Sequence, residues 1–240
     1  IQCKKGLDYI ANHNEQASSI SAEAYSRVTE NIGVAIVTTG PGSTNAITGV
    51  AGAWIESVPL MIISGQVKTS DLKGNSGVRQ MGPQEVDIVS IVKSITKYAT
   101  TVKDPKKIRS ELEKAYQLAT TGRKGPVWVD IPLDIQAAPI EPAKLLGFKK
   151  LSDKKLSDKF FNKYDEIITL INSSKRPIIL AGHGIRLSKA SKDFTKMCRI
   201  LKIPVVTTWN AMDLLPNSSK LNIGKPGVVA LRAPNFAIQN

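Results

Sequence analysis

Three short apolar runs constrain this chain more than any other feature: Val34-Ala35-Ile36-Val37, Pro59-Leu60-Met61-Ile62-Ile63 and Val127-Trp128-Val129-Asp130-Ile131. The second has no polar alternation at all, which is the pattern of a strand covered on both faces, as in parallel sheets clothed by helices. Between the runs, apolar and small residues recur at helical spacing: Ala17, Ile20, Ala24 and Val28; Ala46, Val50 and Ala53; Ile108, Leu112, Ala115 and Leu118. Strands alternating with helices predict an α/β fold with a mostly parallel open sheet flanked by helices. Leu7-Asp8-Tyr9-Ile10 reads as a further short strand, residues 67–83 as a polar loop, and residues 84–93 as a helix.

The pattern breaks at residues 139–159, where Pro139, Pro142 and Gly147 precede a lysine-rich stretch. The expected organisation is a first domain over 1–138, a linker over 139–159, and a partial, Rossmann-like second domain over 160–240. In that second part, a helix at 160–172, a strand at 177–181, the loop Gly182-His183-Gly184, a helix at 188–201 and a strand at 203–207 follow in order. The chain opens on Ile1-Gln2-Cys3 without an initiator Met and stops on Phe236-Ala237-Ile238, so a fragment of a longer protein is expected.

No apolar run approaches the roughly 20 residues of a membrane span, so no membrane role is expected. Cys3 and Cys198 have no metal or redox spacing, and a reducing cytoplasm is the simplest setting. The net charge of +13 raises nucleic-acid binding as a class. Against it, the excess is mostly Lys, dispersed or gathered at 103–107 and 149–159, with few aromatics and no recognition motif. A solvated lysine-rich surface is the better reading, and no nucleic-acid partner is expected.

Chemistry enters with Gly40-Pro41-Gly42, which follows the first apolar run and opens the segment Asn45 to Trp54. Bare glycine backbone admits a close ligand, and Pro41 fixes the loop. Upstream, Glu15 in His13-Asn14-Glu15-Gln16-Ala17 sits at a predicted helix N-terminus. A carboxylate and a rigid loop converging at strand ends are how an open α/β sheet builds a cofactor site. Each part also has an ordinary explanation. Glu15 can complement a helix dipole, Pro41 can make a tight turn, Asn45 can act as an N-cap, and Gln84 can begin a surface helix.

Taken in order, Asn12-His13-Asn14-Glu15-Gln16-Ala17, Ala22-Glu23-Ala24-Tyr25-Ser26-Arg27, Gly40-Pro41-Gly42-Ser43-Thr44-Asn45, Ser57-Val58-Pro59-Leu60, Ser64-Gly65-Gln66, Gln84-Glu85 and Gly122-Arg123-Lys124-Gly125-Pro126-Val127 form one pattern. It resembles the pyrimidine-binding domain of thiamine diphosphate enzymes, nearest to the acetolactate (acetohydroxyacid) synthase group. Gly224-Lys225-Pro226-Gly227 and Asn235-Phe236-Ala237-Ile238 resemble the central domain of the same family.

The resemblance implies decarboxylation of a 2-keto acid followed by carboligation, pyruvate to 2-acetolactate, within branched-chain amino acid biosynthesis. Glu15 would hydrogen-bond N1′ of the aminopyrimidine and promote the tautomer that removes the C2 proton of the thiazolium, its own carboxyl raised by desolvation. Pro41, Gly42, Asn45 and Gln84 would contact thiamine diphosphate. Arg123, Gly182, Gly184, Gly224 and Gly227 would surround FAD, a structural group that some members replace with ADP or leave out. His183 reads as a loop residue. Mg²⁺ is implied, but its Gly-Asp-Gly…Asn ligand motif is absent, so no metal ligand is expected in this chain and the chain alone is expected to be inactive. The family site spans subunits, so a homo-oligomer, dimer or tetramer, acting on a small-molecule 2-keto acid, is implied.

The sequence departs from the pattern at Pro83, where the synthases carry a Phe that shapes the acceptor pocket, and at Ala17-Ser18-Ser19-Ile20. These departures keep three alternatives open: a decarboxylase, an acyl-transferring relative, or a non-catalytic nucleotide-binding module. Glu15 itself argues against the glyoxylate-carboligase branch.

Overall fold

The computed structural model describes residues 6, 8–149 and 163–240, and the chain divides into two compact units, 1–153 and 154–240. The second half of the linker stretch, from residue 150 on, the start of the helix expected at 160–172, Leu7 of the expected first strand, and Cys3 lie outside the described residues.

In the first unit, α1 (Glu15–Thr29) leads to β1 (Gly33–Val37), a short α2 (Pro41–Asn45), α3 (Ile47–Glu56) and β2 (Leu60–Gln66). Then come α4 (Ile88–Val92), β3 (Tyr98–Thr101), α5 (Ile108–Thr120), β4 (Val127–Pro132) and α6 (Leu133–Ala137). The sheet order is β1-β2-β4-β3 and every pairing is parallel. The expected α/β class holds, and the reason is visible in the faces of the strands. Leu60, Ile62 and Trp128 pack under α1, α3 and α4 with Ala22, Val50, Ala53 and Val92, while Met61, Val127 and Val129 pack under α5 with Ala115 and Ala119. A run with apolar residues on both parities is what a two-sided strand requires.

Helix α1 starts where Asn14 Oδ1 accepts a 2.8 Å bond from the Ala17 N–H, and it stops at Glu30, whose φ of 59° leaves the helical region. Its buried face is Ser19, Ala22 and Ser26, all small. That lets neighbours come close. A Cβ built on Gly49 of α3 would sit 2.5 Å from Ser19 Oγ, and one on Gly33 would sit 1.9 Å from the Ala22 carbonyl oxygen.

Several expectations fail for identifiable reasons. Asp8 to Ile10 form no strand; they are exposed and have no ladder partner among the described residues. The helix expected from 84 begins only at Ile88, because Gln84 stands at φ 59° and Asp87 caps the helix through Ser90. Strand β3 was not anticipated, since Tyr98-Ala99-Thr100-Thr101 is half-polar and only half-buried.

The second unit contains α7 (Tyr164–Ser173), β5 (Ile179–Ala181), α8 (Gly184–Leu187), α9 (Ser191–Leu201), β6 (Val205–Thr207), β7 (Asn222–Gly224) and α10 (Arg232–Gln239). Its sheet is parallel, ordered β5-β6-β7, over a core of Ala181, Phe194, Cys198, Val205, Leu214 and Leu215. The helix expected over 188–201 starts at Ser191, because Lys189 at φ 59° interrupts it. The loop expected at 182–184 runs directly into α8. Cys198 is a free, buried thiol. No helix among the described residues is long and apolar enough to cross a membrane.

Candidate active site

Parallel strands direct their carboxyl ends to one edge, and in the first unit a groove of about 870 Å³ lies there. It is lined by Val37 at the end of β1 with Thr38 and Thr39 just after it, by Ile63 to Val67 at the end of β2, and by Ile131 and Leu133 at the end of β4. The N-terminal turn of α1 closes one side with Asn12 to Glu15 and Ser18, and Lys68, Asp71 and Pro83 come from the loop after β2.

The structure brings Glu15, Gly42 and Asn45 together. Asn45 Nδ2 donates to Glu15 Oε2 at 2.9 Å. A Cβ on Gly42 would stand 3.1 Å from Glu15 Oε1 and 2.5 Å from Thr38 Cγ2, so the carboxylate rests against bare backbone. Asn45 is not the N-cap that spacing allowed. It ends α2, and α3 is preceded by Ala46 without a side-chain cap. The loop expected at Gly40-Pro41-Gly42 is in part a helical turn, with Pro41 in its first turn and Gly40 at φ 58°, ψ −120°. Only glycine holds that conformation easily, and a Cβ there would also meet the Gln84 carbonyl oxygen at 2.0 Å.

The Glu15 carboxyl behaves differently from the desolvated, raised acid implied by resemblance. The Asn45 amide, then its own backbone N–H, hold it below the usual carboxylate range against a smaller opposing push from burial. Replacing Asn45 by Ala is expected to move the Glu15 carboxyl back up, read by carbon NMR titration of a Glu-labelled sample. An unchanged titration would remove Asn45 from the account.

Gln84 does not line the groove; it is exposed, and its neighbour Pro83 takes that place. Arg123 lies at the other edge of the sheet, ahead of β4, where its Nε donates to Ser57 Oγ at 2.8 Å. It is not brought to the Glu15 cluster. In the second unit, Gly182 and Gly184 follow β5 and Gly224 ends β7, all at the carboxyl edge of that sheet. Gly227 has φ 151°, and Asn235 clamps its peptide with bonds of 2.9 and 3.0 Å. His183 Nδ1 is 3.2 Å from the Asn210 carbonyl oxygen, in keeping with a loop role. Among the described residues no group of three or more His, Cys, Asp or Glu is placed to hold a metal.

Sequence reasoning missed a polar cluster under the groove floor. Asp130 Oδ1 accepts from Ser64 Oγ at 2.6 Å, and Asp130 Oδ2 accepts from Gln66 Nε2 at 3.0 Å and Thr101 Oγ1 at 3.2 Å. Trp128 Nε1 donates to Ser64 Oγ at 2.8 Å. Burial pushes the Asp130 carboxyl up to about 6, against the lowering effect of those three donors, with a further rise from Asp87. The signal was available: an acid inside a run otherwise made of Val, Trp and Ile.

Comparison with known proteins agrees with this architecture. Residues 1–91 match the thiamine pyrophosphate enzyme N-terminal TPP binding domain, and residues 164–240 match the central domain of those enzymes. The chain therefore belongs to the thiamine pyrophosphate enzyme family. It is similar to the probable acetolactate synthase large subunit of Methanocaldococcus jannaschii, 36% identical over 240 residues, covering 97% of this chain and 39% of the relative. The acetolactate synthase large subunit of Lactococcus lactis is 34% identical over 238 residues, covering 98% of this chain and 40% of that protein. That of Corynebacterium glutamicum is 36% identical over 225 residues, covering 92% and 34%. The chain thus spans roughly two fifths of the length of the relatives it matches.

Proposed function

We propose that this chain supplies the pyrimidine-holding side of a thiamine diphosphate site in an enzyme that decarboxylates a 2-keto acid and joins the remaining acyl unit to a second one, pyruvate to 2-acetolactate. The observation that carries this reading is the Glu15 carboxylate, fixed by Asn45 over the bare backbone of Gly42 and facing a groove at the carboxyl ends of three parallel strands.

The residues present fit the cofactor's pyrimidine. Oε2 of Glu15 is engaged by Asn45, leaving Oε1 to accept from a ring nitrogen, and any side chain at position 42 would fill the space against it. When bound, thiamine diphosphate supplies the electron sink for loss of CO2. Glu15 holds or moves the proton at the pyrimidine nitrogen. Thr38, Val67 and Pro83 line the groove, whereas Pro41 and Gly42 stand behind its lining, Gly42 against Glu15. With the cofactor bound, Thr38 and Val67 would help wall the ring from water, bare backbone at Gly42 would leave room for it against Glu15, and Pro83 would flank the acceptor. Gln84, one residue beyond, stays a proposed contact that must turn inward to reach the groove.

On the same reading, Mg²⁺ belongs with the diphosphate and takes its ligands from outside this chain, which alone is inactive. The enzyme works as a homo-oligomer in the cytoplasm. FAD is proposed for the second unit, at Gly182, Gly184, Gly224 and Gly227. In support, a Cβ on Gly184 would meet nothing within 4 Å, so no described neighbour demands a glycine there.

The test is turnover of pyruvate by the full-length protein with thiamine diphosphate and Mg²⁺, with products identified by mass. Acetolactate is the expected product. Acetaldehyde and CO2 would shift the assignment to a decarboxylase, the second reading, which Pro83 on the groove wall favours. No turnover of any 2-keto acid would leave a nucleotide-binding module.

A further inference from the structure

Among the described residues that line the groove, Lys68 is the only lysine or arginine. Two carboxylates, Glu15 and Asp71, line it as well, and His13 is the remaining titratable side chain. An anion entering the groove therefore meets like charge from two sides and opposite charge from Lys68. Both carboxylates already have partners: Asn45 Nδ2 donates to Glu15, and Ser70 Oγ donates to Asp71 Oδ1 at 2.9 Å. Lys68 differs. Its side chain is exposed on the groove, and its amine enters no ion pair or hydrogen bond with another described residue.

Its backbone, by contrast, is held on both sides. The Val67 N–H donates to Gln66 Oε1 at 3.0 Å, and the Thr69 N–H and hydroxyl both donate to the Asp134 carboxylate. The Lys68 carbonyl accepts from the Asp71 N–H at 2.9 Å, which closes a tight turn. A fixed stem with an uncommitted amine is a preorganised receptor for an anion. An ammonium with three donors suits a carboxylate that approaches from the open side.

The proposed reaction brings two carboxylates to this groove, and they have opposite needs. The donor's carboxylate leaves as CO2. A cation that gripped it would stabilise the starting state more than the transition state and slow that loss. The acceptor's carboxylate survives. In the joining step, the electron pair left by CO2 forms the new bond to the acceptor's carbonyl carbon. That carbonyl's oxygen gains the displaced pair and a proton, while the donor's oxygen returns to a carbonyl. The acceptor's carboxylate passes unchanged into the product, so a cation can hold it throughout and aim the carbonyl beside it.

We propose that Lys68 binds the carboxylate of the second 2-keto acid, the acceptor, and so decides whether the acyl unit left by the first is joined or merely protonated.

The inference rests on the proposed function, and its test uses the full-length protein loaded with thiamine diphosphate and Mg²⁺. The first readout is calorimetric binding of 2-hydroxy-2-methylpropanoate, which carries the carboxylate and tertiary alcohol of the joined product. Lys68→Met is expected to weaken it about tenfold, the scale of one lost charge-assisted bond, and Lys68→Arg to restore most of it. The uncharged amide of the same probe is expected to bind both variants alike. Equal binding of the carboxylate to the unmodified protein and Lys68→Met overturns the proposal, as does no binding to either.

The second readout is the fate of pyruvate, followed by mass. In Lys68→Met the ratio of acetolactate to acetaldehyde is expected to fall about tenfold, with Lys68→Arg in between. An unchanged ratio overturns the proposal. So does a tenfold weaker thiamine diphosphate affinity at an unchanged ratio, which would assign the amine to the cofactor. If the parent reading were wrong, the unmodified protein itself would make no acetolactate. If the lysine assignment alone were wrong, every form would make it in the same proportion, so the two failures are distinguishable.

Discussion

Glu15→Gln is expected to reduce turnover of the full-length enzyme by about a hundredfold to ten-thousandfold, the range spanned by positioned general acids and bases. The amide keeps the shape of the carboxylate and its oxygen can still accept from Asn45 Nδ2, the bond that measures 2.9 Å. On the role proposed for Glu15, what it loses is the capacity to hold or release a proton at the pyrimidine nitrogen. Helix α1 should stay in place because its cap is Asn14, not Glu15. The fold is checked by thermal melting, and the loss should fall on kcat, since the interaction differs most between the resting and reacting states. A variant that melts like the original and retains more than a tenth of its turnover would refute the role given to Glu15. A drop in melting temperature of many degrees would place the residue in structure instead.

Gly33→Ala is expected to destabilise the first unit by about 3 kcal/mol, the upper part of the range for overpacking a filled site. The added methyl would lie 1.9 Å from the Ala22 carbonyl oxygen and 2.6 Å from its carbon. Both are backbone atoms, so no rotamer change relieves the contact; α1 or β1 has to move. Helix α1 carries Glu15 at its N-terminus, and the shift is therefore expected to weaken cofactor binding as well. Denaturant melts and a thiamine diphosphate titration of the same variant read the two effects. A substitution tolerated within 0.5 kcal/mol, the usual scatter of surface changes, would mean that α1 is not pinned at that point.

Much of the first unit was legible because its strands are unusually plain. Leu60-Met61-Ile62-Ile63 can only be buried on both sides, and Val127-Trp128-Val129 repeats the message, so parallel order followed. The parts that escaped are those where tertiary contact overrides local pattern. Tyr98-Ala99-Thr100-Thr101 becomes a strand solely by pairing with β4, and Asn222-Ile223-Gly224 by pairing with β6. Conversely, Asp8-Tyr9-Ile10 has a strand-like sequence and no ladder. At the site, Glu15 and the Gly40-Pro41-Gly42 turn stand out from their neighbours by type and place. Gln66 and Asp130 are separated by 64 positions, and only the adjacency of β2 and β4 makes them partners. The side chain of Gln84 illustrates the opposite limit. A family pattern points it to the groove, but its own φ of 59° turns the chain there and presents Pro83 instead.

The strand order β1-β2-β4-β3 also dictates when this sheet can come into being. Among the described residues, strand β3 pairs only with β4, and β4 is the last of these four strands in chain order. Until residues 127–132 emerge from the ribosome, β2 has an open apolar edge and β3 lacks its partner among the described residues. Assembly is thus gated by one late, long-range closure instead of growing strand by strand, the kind of topology that folds slowly and leaves sticky intermediates waiting. The strand that ends the wait also carries Trp128 and Asp130, so the event that seals the hydrophobic layer is the same one that strips water from its buried carboxylate.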